Sequence, residues 1–313
     1  MNPLSAVYGA VIGARNDFYD RGTLPTRGLR GAVVSVGNIA VGGSGKTPFL
    51  IALGELLKRR GISFDVLSRG YGRATHGMAV VDPNGEAAEF GDEPLLIARK
   101  LRVPVIVGED RHFAGHFAEK QFGTRVHLLD DGFQHRQLAR DFDIVLVTPT
   151  DAEDSLLPAG RLREPVSSLA RANAVVLTND TSTAGLPVDK QLVWRVRRSI
   201  VAPAIEGPAL AFCGIARPES FFEQLREAGV NVAVTRSFRD HHRYRDRHVH
   251  ELAALREQHE AAAFVTTEKD AINLGSAAEE LAPLYVVPVR MEIENSDAVI
   301  DAIMSAIERH STA

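Results

Sequence analysis

A phosphate-binding loop is the feature of this sequence that most constrains its fold. The octapeptide Ala40-Val41-Gly42-Gly43-Ser44-Gly45-Lys46-Thr47 follows the apolar run Val33–Val36 and precedes a helix-like segment. In a strand–loop–helix unit the glycines let backbone N–H groups converge on phosphate oxygens, and the helix adds its positive dipole end. Lys46 then supplies a charge for the β- and γ-phosphates, and Thr47 a hydroxyl for Mg²⁺. The pattern predicts an α/β nucleotide-binding domain.

Ala40 occupies a position where the strict motif has glycine. Relaxed versions of the motif accept alanine because the position only has to be small. A chance match in a glycine-rich loop is the alternative interpretation. The segment after the loop favours a true βα unit, because its apolar residues share one helical face: Phe49, Leu50, Leu53, Leu56 and Leu57.

Short apolar runs alternate with helix-like segments after the loop, which predicts a doubly wound parallel sheet. The runs are Phe64–Ser68, Val103–Val107, Val126–Leu129, Ile144–Thr148 and Ala174–Thr178. Ligands of such sheets bind beyond the carboxyl ends of the strands. Site residues are therefore expected in the segments 68–71 and 130–132.

Asp130 and Asp131 directly follow one of these strands, as expected of carboxylates that complete a Mg²⁺ shell begun by Thr47. Asp131 is the favoured residue nearest the metal, and a simple turn after the strand is the alternative. Asp92 precedes the helical segment Leu95–Leu101. It is either an N-cap or a carboxylate that accepts the proton of an attacking hydroxyl.

Composition and charge narrow the function further. The chain has 313 residues, 45% of them apolar, and a formal net charge of −4, which argues against a dedicated nucleic-acid binder. Its single cysteine, Cys213, lies in an apolar run and is expected to be a buried thiol.

The apolar stretch Leu4–Ala14 covers 11 residues, too few for a membrane-spanning helix, which needs about 20. Five residues share one face at helical spacing: Leu4, Val7, Val11, Ala14 and Phe18. Such a helix either packs on the protein or docks on a bilayer, and periodicity alone favours packing.

Seven strings occur along the chain in a characteristic order. They are VGNIAVGGSGKTP at 36–48, SRGYGR at 68–73, GDEP at 91–94, GEDR at 108–111, DDGFQHRQLARD at 130–141, LLPAGRLREP at 156–165 and TEKD at 267–270. Together they resemble the tetraacyldisaccharide 4′-kinases of lipid A biosynthesis over nearly the whole chain. DDGFQH and PAGRLREP are the most specific strings, since many nucleotide hydrolases have a phosphate loop.

The resemblance implies transfer of the γ-phosphate of ATP, with Mg²⁺, to the 4′-hydroxyl of a membrane-embedded tetraacyl disaccharide 1-phosphate, which gives lipid IVA. It places the enzyme at the cytoplasmic face of the inner membrane as a peripheral protein. For such a substrate, docking of the N-terminal helix on the bilayer becomes the favoured interpretation.

The implied fold is a P-loop NTPase-like domain at 1–190 and a smaller α/β domain at 208–283, followed by a C-terminal helix at 294–313. A two-stranded connector at 191–207 and 284–293 joins the domains, with strands at 193–196 and 285–290.

Residue roles carried over from the family make Asp92 the base and His241 its partner, and the adjacent His242 is the alternative partner if the match shifts by one residue. Lys46 and Asp131 serve catalysis. Arg163 and Glu164 belong to the nucleotide surroundings. Acceptor contacts are assigned to Tyr71, Arg73, Arg111, Gln134 and His135. Apart from His241, the basic run 239–250 is expected to be a solvated helix start.

Two other functions stay open on the motifs alone. A nucleotide-switch or metallochaperone-like ATPase or GTPase would use the same loop without a small acceptor. A kinase for a soluble sugar or cofactor would have no use for a membrane-docking helix.

Overall fold

Two β-sheets organise the chain in the computed structural model, which describes residues 2–178 and 181–312. The strands are β1 (Ala32–Asn38), β2 (Asp65–Ser68), β3 (Ala79–Val80), β4 (Val105–Val107), β5 (Val126–Asp130), β6 (Phe142–Val147), β7 (Ala174–Thr178), β8 (Leu192–Ile200), β9 (Ala209–Cys213), β10 (Val232–Ser237), β11 (Ala263–Thr267), β12 (Leu284–Val287) and β13 (Val289–Ile293). The helices are α1 (Pro3–Asp20), α2 (Lys46–Arg59), α3 (Ala87–Phe90), α4 (Asp92–Leu101), α5 (Arg111–Phe122), α6 (Pro218–Glu227), α7 (Asp246–Gln258), α8 (Glu268–Leu274) and α9 (Ser296–Thr312).

The larger sheet has nine strands in the order β13-β8-β7-β6-β1-β5-β2-β4-β3. Its strands run parallel except at the two edges, where β3 pairs antiparallel with β4 and β13 with β8. Every residue of β1, β5 and β6 is buried, as expected for parallel strands covered on both faces. The predicted doubly wound parallel sheet is confirmed.

The smaller sheet has four parallel strands in the order β10-β9-β11-β12. Helix α6 covers it with Phe221, Phe222 and Leu225, which are buried against β9 and β11. Its first strand and the start of α6 at Pro218 follow the sequence-based expectation.

The connector differs in detail from the expected strand pair. β8 pairs with β13, which begins at Val289, whereas Tyr285 belongs to β12 in the smaller sheet. The expected strand 285–290 therefore spans two strands that lie in different sheets. Val287 is fully buried in the smaller core, and Pro288, which lacks a backbone N–H, separates β12 from β13. The smaller unit thus extends past residue 283.

Helix α1 presents its apolar face to solvent. The side chains of Leu4, Val7 and Val11 are 61–64% exposed, and Phe18 is 48% exposed. The polar side of the helix faces the protein instead: the Tyr8 hydroxyl donates to the Arg163 carbonyl at 3.0 Å. Within the described residues, no helix has the length and apolarity needed to cross a membrane.

Candidate active site

The phosphate loop joins β1 to α2 and is braced by Asn38, the last residue of β1. The Asn38 amide donates to the Ala40 carbonyl at 2.6 Å and to the Ser44 hydroxyl at 2.9 Å, while its oxygen accepts from Lys46 Nζ at 3.2 Å. Gly45 has a φ of 86° just before α2, a conformation that favours glycine. The loop geometry is therefore specified by local side chains as well as by glycine.

Alanine at position 40 has a structural explanation. Ala40 is buried in a core cluster with Ile39 and Leu162, and it forms an isolated antiparallel bridge with Leu162. Its φ is not positive, so the backbone does not require glycine here. The methyl group contributes to packing, which explains the departure from the strict motif.

Asp131 lies at the carboxyl end of β5 in an ion-pair cluster. Its carboxylate is 3.4 Å from Lys46 Nζ and accepts two hydrogen bonds from Arg163, at 2.8 and 2.9 Å. Burial alone would raise the pKa of Asp131, but the Lys46 charge and the Arg163 hydrogen bonds hold it well below its ordinary value. Asp131 is thus ionised at neutral pH.

Asp130 is more deeply buried, and one oxygen accepts from the Ser68 hydroxyl at 2.8 Å. The other oxygen has no hydrogen-bond partner among residues 2–178 and 181–312. Burial, with the negative charges of Glu93 and Asp131, raises the pKa of Asp130 to about 7. A buried carboxylate oxygen without a partner is suited to a hard cation, and Thr47 also lines the cleft. These residues fit Mg²⁺ held largely by phosphate oxygens.

Asp92 and His241 meet across the space between the two sheets. Asp92 is the first residue of α4, and His241 lies in the loop after β10, where its Nδ1 is 3.0 Å from both Asp92 carboxylate oxygens. Asn273 Nδ2 of α8 donates to the same carboxylate at 3.0 Å, and Lys269 Nζ lies 3.8 Å away. His241 has a φ of 55°, a conformation uncommon for a non-glycine residue and frequent at functional sites.

These neighbours determine the charge of the pair. Burial would raise the pKa of Asp92, but the His241 hydrogen bond and the Lys269 charge hold it below its ordinary value. Burial would lower the pKa of His241, but its contact with Asp92 raises it above its ordinary value. Asp92 and His241 therefore favour an ion pair at neutral pH. The N-cap alternative for Asp92 is wrong, because Gly91 is the N-cap of α4 and Asp92 is its first helical residue. Among the backbone N–H groups of α4, the Asp92 side chain accepts only from that of the next residue, Glu93, at 2.9 Å.

One open cleft of about 1820 Å³ contains most of the predicted site residues. Its lining includes the loop from Val41 to Thr47, together with Tyr71, Asp92, Arg111, Asp130, Asp131, Gln134, His135, Arg163 and His241.

The predicted acceptor residues differ in their surroundings. Tyr71 is 68% exposed, and its ring centroid lies 5.2 Å from that of His241. Arg111 is buried, and burial and the charge of Arg69 lower its pKa. Burial, Arg111 and Arg140 lower the pKa of His135 to about 4, so this ring is neutral at pH 7.

Three predicted residues do not line the cleft. Ala40 is part of the core described above. Arg73 donates at 2.8 Å to Glu109, which does line the cleft, and its contact with the acceptor stays a prediction. Glu164 is fully buried and accepts hydrogen bonds from Gln134 at 3.0 Å and from Arg171 at 2.9 Å. Glu164 therefore holds Gln134, which lines the cleft, and does not line the cleft itself.

Several site residues were missed from the sequence. Lys269 lies in the TEKD string, which the family resemblance had singled out without a role, whereas Asn273 carried no local signal. The basic run after β10 also differs from expectation, because its four arginines line the cleft together with Arg236 of β10: Arg239, Arg243, Arg245 and Arg247. Arg243 donates to the Gly72 carbonyl on the other side of the cleft. This run is therefore more than a solvated helix start.

Comparisons with known proteins cover nearly the whole chain. A family model described as Tetraacyldisaccharide-1-P 4′-kinase matches residues 1–308. The tetraacyldisaccharide 4′-kinase of Koribacter versatilis is 50% identical over 319 residues, which cover 99% of each chain. That of Geobacter metallireducens is 36% identical over 323 residues, covering 96% of this chain and 95% of the relative.

A solved structure agrees with these relatives. The crystal structure of LpxK from Aquifex aeolicus, described as an apo form in complex with ATP, matches with a TM-score of 0.78 and 33% identity. The match covers 97% of this chain and 98% of that one. The similarity thus extends over both sheets and is not confined to the phosphate loop.

Proposed function

The chain belongs to the tetraacyldisaccharide-1-P 4′-kinase family, as its motifs predicted, and we propose that it transfers the γ-phosphoryl group of ATP to the 4′-hydroxyl of a tetraacyl disaccharide 1-phosphate. The product is lipid IVA, an intermediate of lipid A biosynthesis. The observation that carries this proposal is that the phosphate loop and the Asp92–His241 pair face one cleft. A nucleotide switch without a small acceptor has no use for such a pair.

Transfer follows from the arrangement of charges in the cleft. The acceptor 4′-oxygen attacks the γ-phosphorus, the bond from that phosphorus to the β–γ bridging oxygen breaks, and ADP leaves. Lys46 stabilises the charge that develops on the phosphates, and Arg163, held by Asp131, lies beside it. Thr47 and the carboxylates of Asp130 and Asp131 would hold Mg²⁺, which would offset the negative charge of the phosphates during transfer.

Asp92 receives the hydroxyl proton. Its depressed pKa makes it a weak base, which suits phosphoryl transfer because the loose transition state needs little deprotonation of the attacking oxygen. His241 is a positioning residue: its Nδ1–H fixes the carboxylate orientation. The proton moves to Asp92 late, as the new P–O bond forms.

The test is a transfer assay with γ-³²P-ATP and a tetraacyl disaccharide 1-phosphate in detergent micelles, with Lys46→Ala as the control. Labelled bisphosphorylated lipid made by the intact protein and not by the variant supports the kinase. ATP hydrolysis without labelled lipid, or hydrolysis stimulated only by a protein partner, contradicts it and favours the nucleotide-switch function.

The location of the acceptor also concerns α1. We propose that this helix docks peripherally on the cytoplasmic face of the inner membrane through the exposed face of Leu4, Val7, Val11, Ala14 and Phe18. The opposite orientation, with apolar residues packed inward, is the rule for helices of soluble proteins. Here Tyr8 and Arg15 contact residues near the cleft, because Arg15 donates to the Gln134 carbonyl at 2.8 Å. Docking through the exposed apolar face of α1 thus brings the cleft close to the bilayer, where an acylated substrate remains.

Vesicle flotation tests this docking. Val7→Glu with Val11→Glu is expected to abolish co-flotation with vesicles of phosphatidylethanolamine and phosphatidylglycerol, because both charges would enter the interface. Leu192→Glu, a change at an exposed apolar residue of β8, is the matched control. Equal flotation of both proteins contradicts the docking face. Unchanged activity on a water-soluble, deacylated acceptor shows that the double variant is folded.

A further inference from the structure

Two arginines line the cleft from β8 near one edge of the larger sheet and from the smaller unit, and neither has a carboxylate partner among residues 2–178 and 181–312. Arg198 lies on β8 of the connector, and Arg217 is the residue just before α6 of the smaller unit. Arg198 Nε is buried without a hydrogen-bond partner in that part of the chain. The one hydrogen bond of the Arg217 side chain there goes to the Thr148 hydroxyl at 3.3 Å.

Both arginines are next to residues whose side chains lie against the phosphate loop. Arg198 of β8 is paired with Met291 of β13. The Met291 methyl group lies against Gly45 of the loop, 3.2 Å from the position that a Cβ atom on this glycine would occupy. The Cβ atom of Ala216, the residue before Arg217, lies 3.6 Å from the positions that Cβ atoms on Gly42 and Gly43 would occupy. The two arginines therefore flank the loop at its apex and at its helix end, and both line the cleft.

The two positive charges are electrostatically unfavourable next to each other. Burial lowers the pKa of Arg198, and the positive charge of Arg217 lowers it further, with no acidic group acting in the opposite direction. Two partly buried cations that repel each other favour the binding of an anion between them. Arginine is suited to phosphate oxygens because its planar fork donates two hydrogen bonds at once.

We propose that Arg198 and Arg217 bind the phosphates of the nucleotide that remain on ADP after transfer. The inference rests on the proposed kinase function and adds a second phosphate-binding element to the loop. Through it, the connector and the smaller unit contact the nucleotide directly.

The sheet order supports the nucleotide over the acceptor phosphate as the ligand. Arg217 contacts Thr148, which follows β6 on one side of β1. The proposed acceptor residues Tyr71 and Arg111 follow β2 and β4, on the other side of β1. The γ-phosphoryl group leaves toward Asp92 on that acceptor side, so the arginines contact the phosphates that stay behind.

Calorimetric titration of ADP, ATP and adenosine in the absence of acceptor tests the proposal. In Arg198→Ala and Arg217→Ala, the Kd values for ADP and for ATP are expected to rise by the same factor, about 10-fold or more, since each change removes a charged hydrogen bond. The Kd for adenosine is expected to stay unchanged. Lysine at either position keeps the charge and loses the fork, so partial recovery is expected.

Arg197→Ala is the matched control, because Arg197 is the exposed neighbour on β8 and does not line the cleft. Unchanged ADP and ATP affinity in both alanine variants overturns the proposal. A raised KM for the acceptor with unchanged nucleotide affinity also overturns it and assigns the pair to the acceptor phosphate. The titrations contain no acceptor, so they remain informative even if the wild-type protein fails to phosphorylate the lipid.

Discussion

At the scale of single residues, the Asp92–His241 ion pair makes activity depend on pH at both ends of the range. The pKa of Asp92 is lowered, so the carboxylate stays ionised until well into the acid range. The pKa of His241 is raised, so the imidazolium persists above the ordinary histidine value of about 6.5 and is lost as pH rises through its folded pKa. Activity should therefore fall on the alkaline side as the ion pair disappears.

We expect His241→Gln to lower kcat by about 10- to 100-fold and to remove the histidine-dependent part of the alkaline decline. Glutamine can still donate to Asp92 but cannot lose a proton. The pH profile of kcat, measured with saturating acceptor, checks this expectation. An alkaline decline of the same midpoint in the variant means that another group is responsible. His250→Gln is the control, since His250 is an exposed residue of α7 outside the cleft.

The two aspartates after β5 have separable roles. Asp131 already binds Lys46 and Arg163, whereas Asp130 carries the buried oxygen without a partner in the described parts of the chain. We therefore expect Asp130→Asn to raise the Mg²⁺ concentration for half-maximal activity more than Asp131→Asn does, although the sequence favoured Asp131 as nearest the metal. Activity measured against Mg²⁺ at fixed ATP compares the two. A larger increase for Asp131→Asn supports the sequence-based assignment instead.

At the scale of elements, local patterns predicted the interior strands well because these strands are buried on both faces. The run Ala174–Thr178 coincides with β7, and the helix at Pro218 begins where its proline predicts. The two-residue strand β3 was missed because it is too short to show a pattern. The end of the connector was misplaced because apolar residues continue from β12 into β13, and the strands are distinguished by the intervening Pro288 and by their pairing in different sheets.

Candidate site residues were predictable where they follow the phosphate loop or a strand end. Arg198 and Asn273 were not, since no local pattern distinguishes an arginine or asparagine that faces a cleft from one that faces water. Arg73 shows the same limit: its motif places it near Tyr71, but only the structure shows that its side chain binds Glu109. Such differences depend on contacts between segments far apart in the sequence.

Helix α9 is fixed to the larger sheet by a titratable contact. His310 Nδ1 lies 2.8 Å from an Asp141 carboxylate oxygen, and Nε2 lies 3.0 Å from the Arg30 carbonyl, so both nitrogens face acceptors. Only the imidazolium can donate to both. Burial would lower the pKa of His310, but the hydrogen bonds to Asp141 and Arg30 raise it. The contact therefore adds stability that is fully present below about pH 6.5 and is lost as pH rises through the folded pKa.

We expect His310→Ala to lower the melting temperature at pH 6 more than at pH 9. Thermal unfolding followed by circular dichroism at the two pH values measures the difference. Arg309→Ala, a change at the exposed neighbouring residue, is expected to have no pH-dependent effect of this kind. A loss that is equal at both pH values means that the contact acts through packing rather than charge.

At the scale of the whole molecule, the active site is complete only when the two sheets lie together. The larger sheet carries the phosphate loop and Asp92, whereas the smaller unit contributes His241 and Lys269. Ile272 of α8 joins the core cluster of the larger sheet, so the contact has an apolar part as well. The polar part is centred on Lys269, whose Nζ lies 3.3 Å from Glu93 and 3.2 Å from Asp240.

Lys269→Met therefore tests whether the position of the smaller unit limits catalysis. Burial would lower the pKa of Lys269, but Glu93, Asp92 and Asp240 raise it, so the side chain is a cation that links three carboxylates. Its loss leaves those carboxylates to repel each other and favours separation of α4 from the loop that carries Asp240 and His241. We expect kcat to fall by about 10-fold or more because His241 no longer orients Asp92, and amide exchange in the first turn of α4 to increase.

Lys190→Met is the control, since Lys190 is exposed and lies outside the cleft. Three readouts separate positioning from a general loss of structure: kcat, exchange in α4, and exchange in the buried strand β1. Faster exchange in α4 with unchanged β1 is the expected result. Unchanged kcat despite faster exchange in α4 contradicts a catalytic role for this contact. Faster exchange throughout the larger sheet assigns Lys269 to global stability, because the larger sheet can open throughout only if the whole molecule is destabilised.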